Sequence, residues 1–127
     1  MESKSTLDID LLEYLEGLIT PRRRELFLKV LSRRTRFLTV ALEDVYQMHN
    51  ASAVIRSCDA FGLQEAHLIE GRFGSRLDKN IAMGAQQWVD IYRHQTSKAC
   101  MAALREKGYR IIATVPRAVS YTHLRAH

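Results

Sequence analysis

Residues 38–62 read LTVALEDVYQMHNASAVIRSCDAFG, and the change of pattern along them decides the fold. Leu38 to Leu42 is a short, almost unbroken apolar run, the composition of a strand covered on both faces. Polar residues gather from Glu43 to Asn50. Asn50 is placed to cap a helix, its side-chain oxygen accepting from amides of the first turn. Val54, Cys58 and Phe61 then recur at helical spacing, and Gly62 stands where a helix end needs positive φ. A strand that runs through a polar loop into a helix N-terminus is the usual ligand position in an open α/β sheet. Free amides at that terminus suit an anion such as phosphate. Arg56 falls about one and a half turns into the helix, and helical side chains lean toward the N-terminus, so its guanidinium can return toward the loop.

Upstream, the pattern is helical. Ser5 and Asp8 read as a capping box for a helix carrying Leu7, Leu11, Leu15 and Leu18 on one face. Thr20 and Pro21 supply the N-cap and first position of a second helix, with Leu26, Phe27, Val30 and Leu31 on its buried side. If that helix persists, Arg22, Lys29, Arg33 and Arg36 fall on one line, with Arg23 and Arg34 beside it. Such a stripe can span several backbone phosphates and displace their counterions, positioning RNA without reading its sequence. The other reading is a solvated basic face.

Downstream, Ala66–Ile69 reads as a second strand and 70–80 as a polar loop in which Arg72 and Arg76 could also meet RNA. A short helical turn is expected around Ile81–Gln86. Trp88–Tyr92 reads as a third strand opened by a core tryptophan. Thr96 or Ser97 caps a helix with Ala99, Cys100, Ala103 and Leu104 inward, stopped by Gly108. Arg110–Thr114 reads as a fourth strand. Alternating strands and helices make a parallel α/β sheet the expected architecture.

The chain has 127 residues, enough for one compact domain, and its 46% hydrophobic content argues against disorder. A net charge of +5, concentrated between Arg22 and Arg36, points to an anionic partner, nucleic acid first and membrane surface second. Cys58 and Cys100 fall on apolar helix positions and read as core residues in a reducing cytoplasm. The five histidines show no metal-ligand spacing, so no metal is expected. Neither a signal peptide nor a membrane-spanning run is visible.

Asn50 followed six residues later by Arg56, within HNASAVIRSCDAFG, closely resembles the first motif of SpoU-type (SPOUT class) RNA 2′-O-methyltransferases. The resemblance is greatest to the transfer-RNA guanosine-2′-O-methyltransferases that modify the D-loop. It runs from about Arg33 through LTVALEDV, EAHLIEG, GAQQWVDIYRH and REKGYRIIAT to Thr114. It implies an α/β fold with a deep C-terminal knot through which family members dimerise, and S-adenosylmethionine as methyl donor. It places Arg56 in the catalytic position, holding the phosphate beside the target ribose and assisting ionisation of the hydroxyl. By the same resemblance Asn50 orients the substrate nucleotide or the catalytic loop, and Thr114 begins the cofactor pocket. His49, next to Asn50, is a candidate phosphate contact, and Glu43 one for shaping the site.

The family pattern would continue with a Gly-x-Glu after an apolar strand and a late Ser-Leu-Asn, and neither is present. The expected layout is therefore a helical basic RNA-binding extension over 1–36, a truncated SpoU methyltransferase α/β domain over 37–117, and a non-native tail, AVSYTHLRAH, over 118–127. Without the C-terminal knot, these residues alone are not expected to bind S-adenosylmethionine or transfer methyl groups, and homodimerisation is left open. The functional expectation is the N-terminal part of a cytoplasmic transfer-RNA 2′-O-methyltransferase. Two rivals stand beside it: a non-catalytic basic RNA-binding α/β module, and an α/β domain for a phosphate ligand unrelated to RNA. On the residues alone, Asn50 can be only a helix cap and Arg56 only a surface cation.

Overall fold

The computed structural model describes residues 8–45, 48–71 and 84–114. In order they form α1 (Ile9–Gly17), α2 (Pro21–Leu31), β1 (Val40–Glu43), α3 (Met48–Phe61), β2 (Glu65–Ile69), a 3-10 turn (Ala85–Gln87), β3 (Asp90–His94) and α4 (Ser97–Glu106). The three strands make one parallel sheet in the order β1-β2-β3, with Val40 opposite Ala66 and Glu65 opposite Asp90. The expected α/β class and parallel sheet are present.

Central β2 is buried along its whole length, because helices cover both of its faces. Ala66 packs with Ile55 and Cys58 of α3, Leu63, Val89 and Ala85. Ile69, which alternates to the opposite face from Ala66 and Leu68, packs with Cys100 and Leu104 of α4. Each fully buried Leu or Ile here contributes roughly 1.5–3 kcal/mol relative to exposure. α3 and α4 end alike. Gly62 (φ 75°) and Gly108 (φ 87°) take left-handed backbone, and the next amides, of Leu63 and Tyr109, return to the carbonyls of Cys58 and Leu104.

Several expectations are corrected. Asp8, not Ser5, is the cap of α1, its carboxylate accepting from the Leu11 amide at 3.0 Å; Ser5 and Leu7 lie outside the described residues. Thr20 and Pro21 do open α2, but neither helix buries a residue, so the faces of Leu11, Leu15 and Leu18 and of Leu26, Phe27, Val30 and Leu31 are exposed. β1 starts at Val40 and alternates between half-buried and exposed, because it is an edge of the described sheet; Leu38 is exposed. Phe61 is 81% exposed, and α3 instead turns Ala51, Ser52, Ile55 and Cys58 inward.

Trp88 is not a core anchor. β3 begins two residues later, Val89 takes the core position, and the exposed indole lies 6.4 Å from the Phe27 ring. Of the helical turn expected around Ile81–Gln86, residues 81–83 lie outside the described residues, and Ala85–Gln87 form a 3-10 turn. Thr96 caps α4 through the Ala99 amide, leaving Ala99 exposed while Cys100 and Leu104 are buried. Residues 110–114 form no strand: they run exposed, without a ladder partner among the described residues. Residues 118–127, expected from the sequence to be a non-native tail, and the loop arginines Arg72 and Arg76 fall outside the described residues.

Candidate active site at the carboxyl ends of the strands

In a parallel sheet every strand delivers its carboxyl end to the same edge, and ligands settle there because the following loops and helix starts converge. Here that edge carries Glu43 from β1, Glu70 after β2 and His94 from β3. The Ser97 hydroxyl, in the first turn of α4, donates to Glu43, and Arg93 pairs with Glu70. Asp44, directly after β1, has φ 43°, a left-handed conformation uncommon outside glycine. Its amide donates to the Ile69 carbonyl at 3.0 Å, so the first loop residue is tied to the end of β2. A Cβ at Gly71 would lie 3.0 Å from the Asp44 carboxylate, and glycine there lets the two loops meet.

α3 rises from this edge. It begins by Met48, so Asn50 is in its first turn and is not the cap that its sequence position suggested. His49, Asn50, Ala53, Arg56 and Ser57 are all exposed, opposite the buried Ser52, Ile55 and Cys58. His49, Ala53 and Arg56 lie at offsets of four and seven, one above the other on that outer face. The methyl of Ala53 leaves room for the Arg56 side chain to lean back toward the first turn. Arg56 makes no ion pair among the described residues. The imidazole and the cation share that line, and the exposed Asn50 amide lies roughly 100–120° round the helix from them, so the same end of α3 can offer groups to a phosphate and to a ribose.

The other residues singled out from sequence do not join this group. Thr114 is exposed at the end of the unpaired run 110–114. α2 stops at Leu31, where Ser32 closes it by donating from its hydroxyl to the Lys29 carbonyl at 2.8 Å. The basic line from Arg22 to Arg36 is therefore broken. Arg22, Arg23 and Lys29 remain on α2, with Arg23 6.0 Å from the Phe27 ring centroid, and Arg33 follows in the turn. Arg34 turns inward to pair with Asp59 and donates to the Leu63 carbonyl. Arg36 bonds Glu65 and Asp90, each at 3.0 Å, and the Glu65 hydrogen bond is the main reason its pKa is raised. Glu65, itself buried, also takes Lys107 at 3.3 Å. Arg34 and Arg36 fasten the helical segment to the amino edge of the sheet, which sequence spacing cannot reveal because their partners lie 25 to 54 residues away.

Two apolar-to-polar grooves lie at that amino edge, the larger about 690 Å³ between the α1–α2 pair and Gln64, Trp88 and Asp90. Neither is lined by Asn50 or Arg56. The structure also assembles a group that linear spacing hid: His67 of β2, His94 of β3 and Cys100 of α4 have donor atoms within 4.8 Å of one another. Burial holds the His67 pKa below its ordinary value, with His94 and Lys107 adding to the shift and Glu65 opposing it. Burial raises the Cys100 and Cys58 thiols.

Among known proteins, the model of the SpoU rRNA Methylase family matches residues 37–127. Over 112 residues the chain is 34% identical to a tRNA (guanosine(18)-2'-O)-methyltransferase of Borreliella burgdorferi, covering 87% of this chain and 51% of that one. It is 37% identical over 98 residues to a protein of the same description in Thermus thermophilus, covering 77% and 50%. The Escherichia coli protein is 35% identical over 96 residues, covering 76% and 42%. The crystal structure of the A. aeolicus TrmH/SpoU tRNA modifying enzyme superimposes with a TM-score of 0.59 at 27% identity, over 68% of this chain and 45% of that one. The chain spans about half the length of the curated relatives it matches.

Proposed function

Because the chain belongs to the SpoU rRNA methylase family, we propose that it forms the N-terminal part of a transfer-RNA 2′-O-methyltransferase acting on a ribose, with a D-loop guanosine as target. The observation that carries this reading is the exposed outer side of the helix that follows the carboxyl end of β1, where His49 and Arg56 lie in line and Asn50 is exposed in the first turn.

A ribose 2′-hydroxyl is barely ionised near neutrality, so its attack gains from fixed positive charge placed where the alkoxide develops. The Arg56 guanidinium keeps its protons far above neutrality and does not serve as an ordinary base. Its role is to grip the phosphate beside the target ribose in a planar two-pronged contact and to favour the ionised hydroxyl. Asn50, a turn and a half nearer the loop, orients the nucleotide, and His49 supplies a further phosphate contact. S-adenosylmethionine is the methyl donor this family membership implies. The described residues do not build its pocket: Thr114 is exposed, and both grooves lie at the opposite edge of the sheet. Transfer RNA as partner, a cytoplasmic setting and pairing of two full-length copies belong to the same proposal. No helix among the described residues is long and apolar enough to cross a membrane.

The test is methyl transfer from labelled S-adenosylmethionine to transfer RNA, with this chain carried in a protein of the relatives' full length. Arg56→Ala should lower turnover by about 10²–10³, the loss typical of removing one transition-state donor, while RNA binding falls far less. Near-normal turnover in that variant would remove Arg56 from the chemistry.

A further inference from the structure

His67, His94 and Cys100 are contributed by two adjacent strands and the helix that covers them. His67 is 1% exposed and Cys100 fully buried, whereas His94 is half-buried at the carboxyl end of β3. The two imidazoles, with ring planes 22° apart, meet through His67 Nδ1 and His94 Nε2 at 2.9 Å. That contact uses one nitrogen of His67; the other, Nε2, is buried without a hydrogen-bond partner. A buried imidazole normally has both nitrogens matched, so this ring is held by only half of its usual hydrogen bonds.

We infer that His67, His94 and Cys100 form a binding site for a soft divalent transition ion of the zinc class. Two imidazoles and a thiolate are the donor set that selects such ions over magnesium or calcium. A tetrahedral ion with bonds of about 2.0–2.3 Å holds its ligand atoms on the order of 3.3–3.7 Å apart. The histidine nitrogens need to part by a few tenths of an ångström, and the sulfur, already within 4.8 Å, needs to move in. Three protein ligands leave a fourth position open.

The surroundings set how such an ion binds. Ligation takes the neutral imidazole and the thiolate, and forming the thiolate means removing the Cys100 proton. Binding therefore releases a proton and strengthens as pH rises. The Lys107 ammonium, 4.3 Å from the centroid of the Tyr92 ring that stacks on His67, opposes a second cation, and the Glu65 carboxylate beside it partly cancels that charge. Occupancy would pin β2, β3 and α4 together just beneath the carboxyl edge of the sheet.

Titration of the purified 127-residue chain with Co²⁺ is the probe, followed by displacement with Zn²⁺. The expected result is saturation at one ion per chain with a near-ultraviolet sulfur-to-cobalt charge-transfer band that Zn²⁺ abolishes. Cys100→Ala should lose the band and weaken binding at least about 100-fold. Cys58→Ala, which alters the other buried thiol, should retain both. His94→Gln removes a ligand from the half-buried end of the site and keeps the test decisive if Cys100→Ala fails to fold; it should weaken binding comparably. Cobalt binding without a thiolate band in the unaltered chain would overturn the assignment. So would a band that survives Cys100→Ala or disappears in Cys58→Ala.

Discussion

The role proposed for Arg56 requires reach and planarity together. Its place on the outer face of α3, above the small Ala53, supplies reach toward the first turn, and the guanidinium supplies two parallel donors. Arg56→Lys should therefore recover only part of the turnover lost in Arg56→Ala, since an ammonium is a point charge; full recovery would mean that charge alone matters. The proposed pair of Arg56 and Asn50 lies within one helix, so the family resemblance of a single stretch could single it out, which spacing alone did not. Spacing was not enough to find the His67–His94–Cys100 group, whose members lie on three elements and become neighbours only when β3 pairs with β2. That group gives the fold a pH profile. Burial lowers the His67 pKa, so the unfolded chain binds more protons below its ordinary value of about 6.5, and stability falls as pH drops through that range. Burial raises Cys58 and Cys100, so the unfolded chain loses protons first above about 8.5, and stability falls again as pH rises. Urea midpoints against pH should show a plateau between these limits. The alkaline decline should shrink in the two Cys→Ala variants, and an undiminished decline there would assign it to other groups.

Element ends show what local chemistry does and does not decide. Glycine stops were legible at Gly62 and Gly108, because positive φ is costly for any residue with a Cβ. The starts shifted: Asp8 in place of Ser5, a first-turn Asn50 in place of a cap, Asp90 in place of Trp88. Each was displaced because several residues nearby were chemically able to begin the element, and packing chose among them. The two glycines differ in a way that sequence does not carry. A Cβ at Gly108 meets nothing within 4 Å, whereas at Gly62 it would lie 2.9 Å from the Arg33 carbonyl oxygen, where Thr35 joins the sheet by bonding the Gly62 carbonyl. Gly108→Ala should then cost only the left-handed backbone term, about 1–2 kcal/mol. Gly62→Ala should cost at least about 1 kcal/mol more, since backbone must shift to relieve the contact. Equal losses in denaturant titrations of the two variants would show that the Arg33–Gly62 approach is not a constraint on the fold.

Across the whole molecule, the parallel α/β class was legible because strand and helix periodicities alternate cleanly from Val40 to Glu106. The relation of the first two helices to the sheet was not, since it rests on ion pairs distant in sequence. That relation reshapes the surface proposed to meet RNA. The six cations read from spacing, four in line and two beside them, become two populations: Arg22, Arg23, Lys29 and Arg33 stay on the surface, while Arg34 and Arg36 are committed to Asp59, Glu65 and Asp90. A cation that neutralises a phosphate releases counterions and steepens the salt dependence of binding by about 0.7–0.9 per contact in a log–log plot. Replacing Arg22, Lys29 and Arg33 together by Ala should therefore weaken transfer-RNA binding and flatten that slope by up to about 2–3, with little loss of stability. Arg34→Ala should do the reverse, because it strands Asp59 at a partly buried contact and unfastens the helical segment, leaving the slope nearly unchanged. Fluorescence anisotropy of labelled transfer RNA over a salt series, beside urea denaturation of each variant, separates the two effects. An unchanged slope in the triple variant would take α2 out of the RNA interface and leave the α3 stripe as the only phosphate contact proposed among the described residues.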